Sequence, residues 1–122
     1  MEAESLTSQE QAYWDFMTVA ERCLWAWLAC IIDGEGSISI GKRYGKQKGE
    51  YDLLLRVAMT HERTIRKLKH IANVGSVKRD SSLTRINRID VWVWRTKDKS
   101  AASVLRHCLP FLFTKKERAQ LA

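Results

Sequence analysis

Apolar positions recur along this chain at two spacings, and the switch between them marks its elements. From Val19 to Ile32 they crowd a helix-length segment, and from Ser37 the period drops to two. Ile38 and Ile40 then share one face of a strand, with Ser37, Ser39 and Gly41 on the other. A basic, glycine-containing segment over 42–49 turns the chain into a second strand over 52–60. There Leu53, Leu55, Val57 and Met59 point inward, and Leu54, Arg56 and Ala58 point outward. Helical spacing returns over 61–72, where Ile65, Leu68, Ile71 and Ala72 form the buried stripe and Arg63, Arg66, Lys67 and Lys69 stay solvated.

Boundary residues agree with this division. Ser8 with Gln11, and Thr18 with Glu21, have the form of capping boxes, so helices are expected to begin at both places. Thr60 is expected to cap the 61–72 helix, and Asn73 and Gly75 to end it. A second hairpin follows, with strands over 76–80 and 86–95 and Trp92 and Trp94 expected in the outward row opposite Val91 and Val93, a row that could also be buried against other protein. A helix over 100–109 is stopped by Pro110, and a short helix capped at Thr114 closes the chain. The order is αββαββα after an extra amino-terminal helix, an α+β fold. Residues 1–17 are expected as an extension and 18–122 as a single domain.

The segment over 19–32 is apolar on nearly every side, which demands burial all round. Cys23, Ala26, Cys30 and Asp33 form a stripe of small side chains, with Ala29 beside it, where a second helix can approach closely. No internal repeat supplies that helix, so a second copy of the chain is the expected source and a homodimer follows. The helix then ends in Asp33-Gly34-Glu35-Gly36. Carboxylates at a helix C-terminus oppose its dipole at a cost of about 0.3 to 1 kcal/mol each, so the arrangement points to a cation.

Charge sharpens the picture. The net charge of +7 is the sum of −6 over residues 1–36 and +13 over residues 37–122. A basic surface built from the later elements suits a polyanion, although a merely solvated basic face has the same composition. The three cysteines lack a CxxC pair, which argues for a reducing setting and against a zinc knuckle. The acidic amino terminus is unlike a secretory signal, and the longest apolar stretch, over 24–32, is far too short to span a bilayer. The chain is therefore expected to be soluble and intracellular, with no membrane partner and no small-molecule substrate.

Leu28-Ala29-Cys30-Ile31-Ile32-Asp33-Gly34-Glu35-Gly36, continued by Ser37-Ile38, resembles the signature of the LAGLIDADG homing endonucleases, and the element order resembles that family's half-domain. Cys30 stands where the family usually has glycine. The resemblance implies a saddle-shaped antiparallel sheet on double-stranded DNA and a homodimeric double-strand endonuclease. Such an enzyme uses Mg²⁺, with Mn²⁺ as a plausible substitute, and leaves short 3′ overhangs at a long, nearly palindromic site. Glu35 falls at the metal-binding acid, joined by the Gly34 carbonyl, and Asp33 is expected to cap or stabilise the helix seam at the dimer interface.

Pro110-Phe111-Leu112-Phe113-Thr114-Lys115 resembles the late motif that carries the family's catalytic lysine, which places that role on Lys115. His61 matches a polar position that orders active-site water. Both residues can equally be ordinary helix-start residues. Expected DNA contacts are Ser37, Ser39, Lys42, Arg43, Lys46, Lys48, Arg56, Lys78, Asp80, Arg88, Asp90 and Trp92. No intein splicing block flanks the domain, so a free-standing or intron-encoded protein is expected. The alternative is a non-cleaving LAGLIDADG protein that binds nucleic acid as a maturase or regulator.

Overall fold

The computed structural model describes residues 7–42, 51–80 and 89–121. Helices α1 (Ser8–Phe16) and α2 (Val19–Glu35) lead into strands β1 (Gly36–Lys42) and β2 (Tyr51–Met59). Helix α3 (Glu62–Ala72), strands β3 (Ser76–Arg79) and β4 (Trp92–Lys97), and helices α4 (Asp98–Cys108) and α5 (Lys116–Leu121) follow. A single 3₁₀ turn, Leu109–Phe111, carries Pro110 between α4 and α5. The four strands form one antiparallel sheet in the order β1-β2-β4-β3.

Register assigns every strand residue to a face. Ile38 opposes Leu55, Val57 opposes Trp94, and Trp94 opposes Val77, so these side chains line the inner face. Leu28, Ala29 and Ile32 of α2, Ile65 and Leu68 of α3, and Ala101, Val104, Leu105 and Cys108 of α4 cover that face and complete the core. All three helices pack on the same side of the sheet, so its other face is left open.

Caps set the helix limits, not always where the sequence suggests. Thr18 accepts the Glu21 amide at 3.1 Å, as expected. At α1 the box is shifted by one residue: Thr7 Oγ1, not Ser8, accepts the Glu10 amide at 3.2 Å. At α3 the cap is His61 rather than Thr60, with Nδ1 accepting the Thr64 amide at 3.3 Å. Asn73 ends α3 in the left-handed conformation at φ 58°.

Strand β4 departs most from expectation. It begins at Trp92 and runs to Lys97, and Trp94 is fully buried in the core instead of lying in the outer row. Trp94 Nε1 donates to the Val74 carbonyl at 2.9 Å, which satisfies the polar atom that burial would otherwise orphan. Gly75 makes room for this contact. Its φ is +89°, and a Cβ there would lie 2.7 Å from both Trp94 Nε1 and the Arg95 carbonyl.

Helix α1 is bound to the rest of the chain. The Arg22 side chain donates to the Trp14 carbonyl at 2.7 and 3.0 Å, and the Trp14 and Phe111 rings lie 5.5 Å apart. Glu10 is fully buried, with an oxygen 3.0 Å from Lys116 Nζ. This pair ties α1 to α5 across the molecule.

Candidate functional site

The end of α2 brings the candidate chemistry together. Its last intrahelical bond runs from the Gly36 amide to the Ile32 carbonyl, so the carbonyls of Asp33 and Gly34 lie beyond the ladder. Lys115 Nζ donates to the Asp33 carbonyl at 2.7 Å and puts a positive charge at the negative end of the helix. Part of the cost of that acidic terminus is thus offset by the chain's own lysine. Glu35, the last residue of α2, is exposed and makes no hydrogen bond or ion pair among the described residues.

Asp33 behaves differently from Glu35. Its two carboxylate oxygens accept the amides of Phe113 at 2.8 Å and Lys115 at 3.0 Å. It is therefore turned toward the 113–115 segment of its own chain, whose amides it caps. The neighbouring Cys108 is inert by environment: burial first, and the Asp33 charge second, push its thiol far above the usual range.

Other seam residues divide in the same way. Cys23 and Cys30 are exposed and Ala26 is half-buried, but Ala29 is fully buried in the chain's own core and cannot meet a partner. The exposed side of α2 instead carries Cys23, Leu24, Cys30 and Gly34, with Trp27 and Ile31 half-buried among them. These positions follow helical spacing, so α2 presents an apolar stripe to the outside.

The open face of the sheet is basic. One cross-strand row reads Ser37, Arg56, Arg95, Ser76, and Ser39, Leu54 and Lys97 form the next. Arg56 and Arg95 stand directly opposite each other, a like-charge juxtaposition that disfavours the isolated sheet. Asp80 lies 3.6 Å from Arg56 and relieves part of it. Arg56, Lys78, Arg79, Asp80, Val93 and Arg95 line a groove of about 260 Å³ on this side.

Among the expected contacts, Ser37, Ser39, Arg56, Lys78 and Asp80 face this side. Asp90 is exposed and pairs with Arg79 at 3.6 Å. Trp92 requires correction: it packs half-buried against the core, and Arg66 lies 5.3 Å from its ring. Arg43, Lys46, Lys48 and Arg88 lie outside the described residues, as does the side chain of Lys42. Arg95 and Lys97 were missed because the strand was expected to end at 95 with its faces exchanged. Arg118, which donates to the Ile38 carbonyl on edge strand β1, has no signal in the sequence.

His61 lies four residues beyond Val57, the β2 partner of Gly36, and so at the sheet end where α2 terminates. Among the described residues no three metal-ligating side chains converge. The chain carries at this end the exposed Glu35 carboxylate and the Gly34 carbonyl, hard oxygen donors of the kind that suit Mg²⁺ but too few by themselves to complete its coordination. No helix among the described residues is long and apolar enough to cross a membrane.

No protein-family model matches the chain. No curated protein matches it either. Solved structures do. The chain is similar to the homing endonuclease I-CvuI bound to its target in the presence of Ca, with a TM-score of 0.70 and 19% identity over 85% of this chain. A second I-CvuI structure, holding the I-CreI target in the presence of Mg with DNA not cleaved, matches at 0.69 and 21% identity, again over 85% of this chain. The archaeal intron-encoded homing endonuclease I-Vdi141I, in complex with DNA, matches at 0.65 and 13% identity over 83% of this chain. The chain spans just under two thirds of these proteins' lengths, 66% of I-CvuI and 65% of I-Vdi141I. With its helices on one side of an antiparallel sheet and its acidic signature at the end of α2, the chain has the fold of the LAGLIDADG homing endonucleases.

Proposed function

We propose that this chain is a homodimeric, divalent-metal-dependent DNA endonuclease that cuts both strands of a long, nearly palindromic site. One observation carries the reading. Glu35 is an exposed carboxylate without a partner among the described residues, in a helix terminus that Lys115 also reaches, next to an open sheet face where Arg56 and Arg95 are opposed. A phosphate backbone relieves the Arg56–Arg95 repulsion, and a cation relieves Glu35. The solved relatives hold DNA, which agrees with this use of the face.

The apolar stripe of α2 supplies the contact between copies, and a two-fold axis along it sets two Glu35 carboxylates near each other. Glu35 and the Gly34 carbonyl would hold Mg²⁺ or Mn²⁺, which supplies charge neutralisation at the scissile phosphate. Lys115 adds a fixed positive charge where the phosphate gains negative charge. His61 has Nδ1 committed to its capping role, which leaves Nε2 to orient water. On the sheet, Arg56, Arg95 and Lys78 offer guanidinium and ammonium groups to base edges and phosphates, and Ser37 and Ser39 offer hydroxyls.

The test is incubation with a randomised DNA library with and without Mg²⁺, followed by sequencing of the new ends. Recovery of one recurrent, near-palindromic cut site in Mg²⁺ alone is expected. Binding without any cut, under Mg²⁺ and Mn²⁺ alike, would leave a non-cleaving binding protein instead.

A further inference from the structure

We infer that Asp33 is the positioning residue for Lys115. Its carboxylate and carbonyl together determine where the lysine stands relative to Glu35. The lysine's segment is 80 residues away in sequence, and three hydrogen bonds join it to this one residue. Phe113 N to Oδ2 is 2.8 Å, Lys115 N to Oδ1 is 3.0 Å, and Lys115 Nζ to the main-chain oxygen is 2.7 Å. Asp33 and Lys115 are half-buried, so the two bonds between them are partly shielded from competing water, while the one from the Phe113 amide is exposed.

The geometry is specific to a carboxylate. Two converging amides need two acceptor oxygens on one planar group, and only Asp or Glu supplies them. Asparagine would turn its amide donor toward one of the two N–H groups. Glutamate would add a methylene and push the 113–115 segment away. Phe113 is 78% exposed, so its ring contributes little packing to hold the segment. Buried Leu112 and Ala119 anchor the chain on either side, and between them the polar clamp, rather than burial of the aromatic, fixes Lys115. Only Gly34 separates Asp33 from Glu35 on the same helix, so the clamp fixes the lysine to the acid's own scaffold.

The consequence for catalysis rests on the nuclease reading above; the clamp itself does not. The test compares the native chain with Asp33→Asn, Lys115→Ala and the double variant, using the DNA recovered from the library. Single-turnover cleavage, DNA affinity in chelator, and amide hydrogen exchange at Phe113 and Lys115 are read for each. Asp33→Asn is expected to slow cleavage by roughly tenfold or more, with affinity unchanged and exchange faster at both amides. In the Lys115→Ala background the same change is expected to cost little more, because Asp33 acts through the lysine. An equal further loss there, or unchanged exchange, overturns the inference.

Phe113→Pro removes one donor while leaving Asp33 intact, and it covers the case in which Asp33→Asn does not fold. It should slow cleavage and speed exchange at Lys115; unchanged values for both would overturn the inference. If the native chain binds DNA and never cuts it, the nuclease reading falls and exchange alone decides the clamp. Faster exchange then upholds it, and unchanged exchange overturns it.

Discussion

The two glycines that bracket Glu35 should respond to alanine in opposite ways, and the structure gives the reason for each. Gly34 is exposed in the last turn of α2, and a Cβ built there meets nothing within 4 Å. Alanine is preferred over glycine by about 1 kcal/mol in a helix interior, and we take roughly half to all of that near its end. Gly34→Ala should therefore raise the melting temperature of the dissociated chain by about 2 to 4 °C. The same methyl lies on the outward stripe with Trp27, Cys30 and Ile31, where the proposed partner helix packs. Overfilling such a contact costs about 1 to 3 kcal/mol, so association should weaken by roughly 5- to 150-fold. At Gly36 a Cβ would lie 2.8 Å from the Ile32 carbonyl oxygen and 2.9 Å from its Cα, so Gly36→Ala should destabilise the fold directly.

Thermal unfolding across a dilution series, together with sedimentation equilibrium, separates these effects. A glycine that the isolated helix does not need is explained by something outside the chain. If Gly34→Ala lowers the stability of the dissociated chain, the open space is misread. If it stabilises the chain with association and cleavage untouched, no partner or ligand requires the glycine.

Three further outcomes follow from the fold. Lys116→Ala should cost about 3 to 5 kcal/mol in urea unfolding, because it leaves the fully buried Glu10 carboxylate without the ammonium 3.0 Å away, and Glu10→Met with Lys116→Met should recover most of that. Arg95→Ala should leave stability unchanged or slightly raised while lowering the salt slope of DNA binding by about 1, measured by titration at several salt concentrations. Thiol labelling of the folded chain should modify Cys23 and Cys30 but reach Cys108 only on unfolding. Because its folded pKa is raised, Cys108 also supports stability fully below the unfolded thiol's range and progressively less as pH rises above it.

The first half of the fold was legible because its patterns are unambiguous. In β1 and β2 one face is apolar and the other polar, so period two assigns both element and orientation. In α3 four bases oppose Ile65 and Leu68, which leaves one possible face. Strand β4 offers no such contrast: Ile89, Val91 and Val93 alternate with Trp92 and Trp94, and either row can be the buried one. The decision comes from pairing with Val57 and from the Val74 carbonyl that receives the Trp94 indole, both distant in sequence. Competing caps at Thr7 and Ser8 are chemically equivalent for the same reason.

Within the site, the carboxylates of Asp33 and Glu35 look alike in sequence, and both stand at the end of α2. Their difference arises from the amides of Phe113 and Lys115, which only tertiary folding delivers. Glu35 and Lys115 were nameable from motifs, whereas the Asp33 clamp and the opposed pair Arg56–Arg95 depend on register and long-range contact.

Glu35→Gln decides whether the exposed acid at the end of α2 serves DNA hydrolysis. Cleavage of the recovered duplex by the native chain and the variant should be followed on both strands in Mg²⁺, with affinity measured in parallel. The native chain should make two nicks and the variant none detectable, with DNA affinities within about threefold of each other, a difference below about 0.7 kcal/mol. Cleavage by Glu35→Gln at the native rate would show that this carboxylate has no part in the hydrolysis.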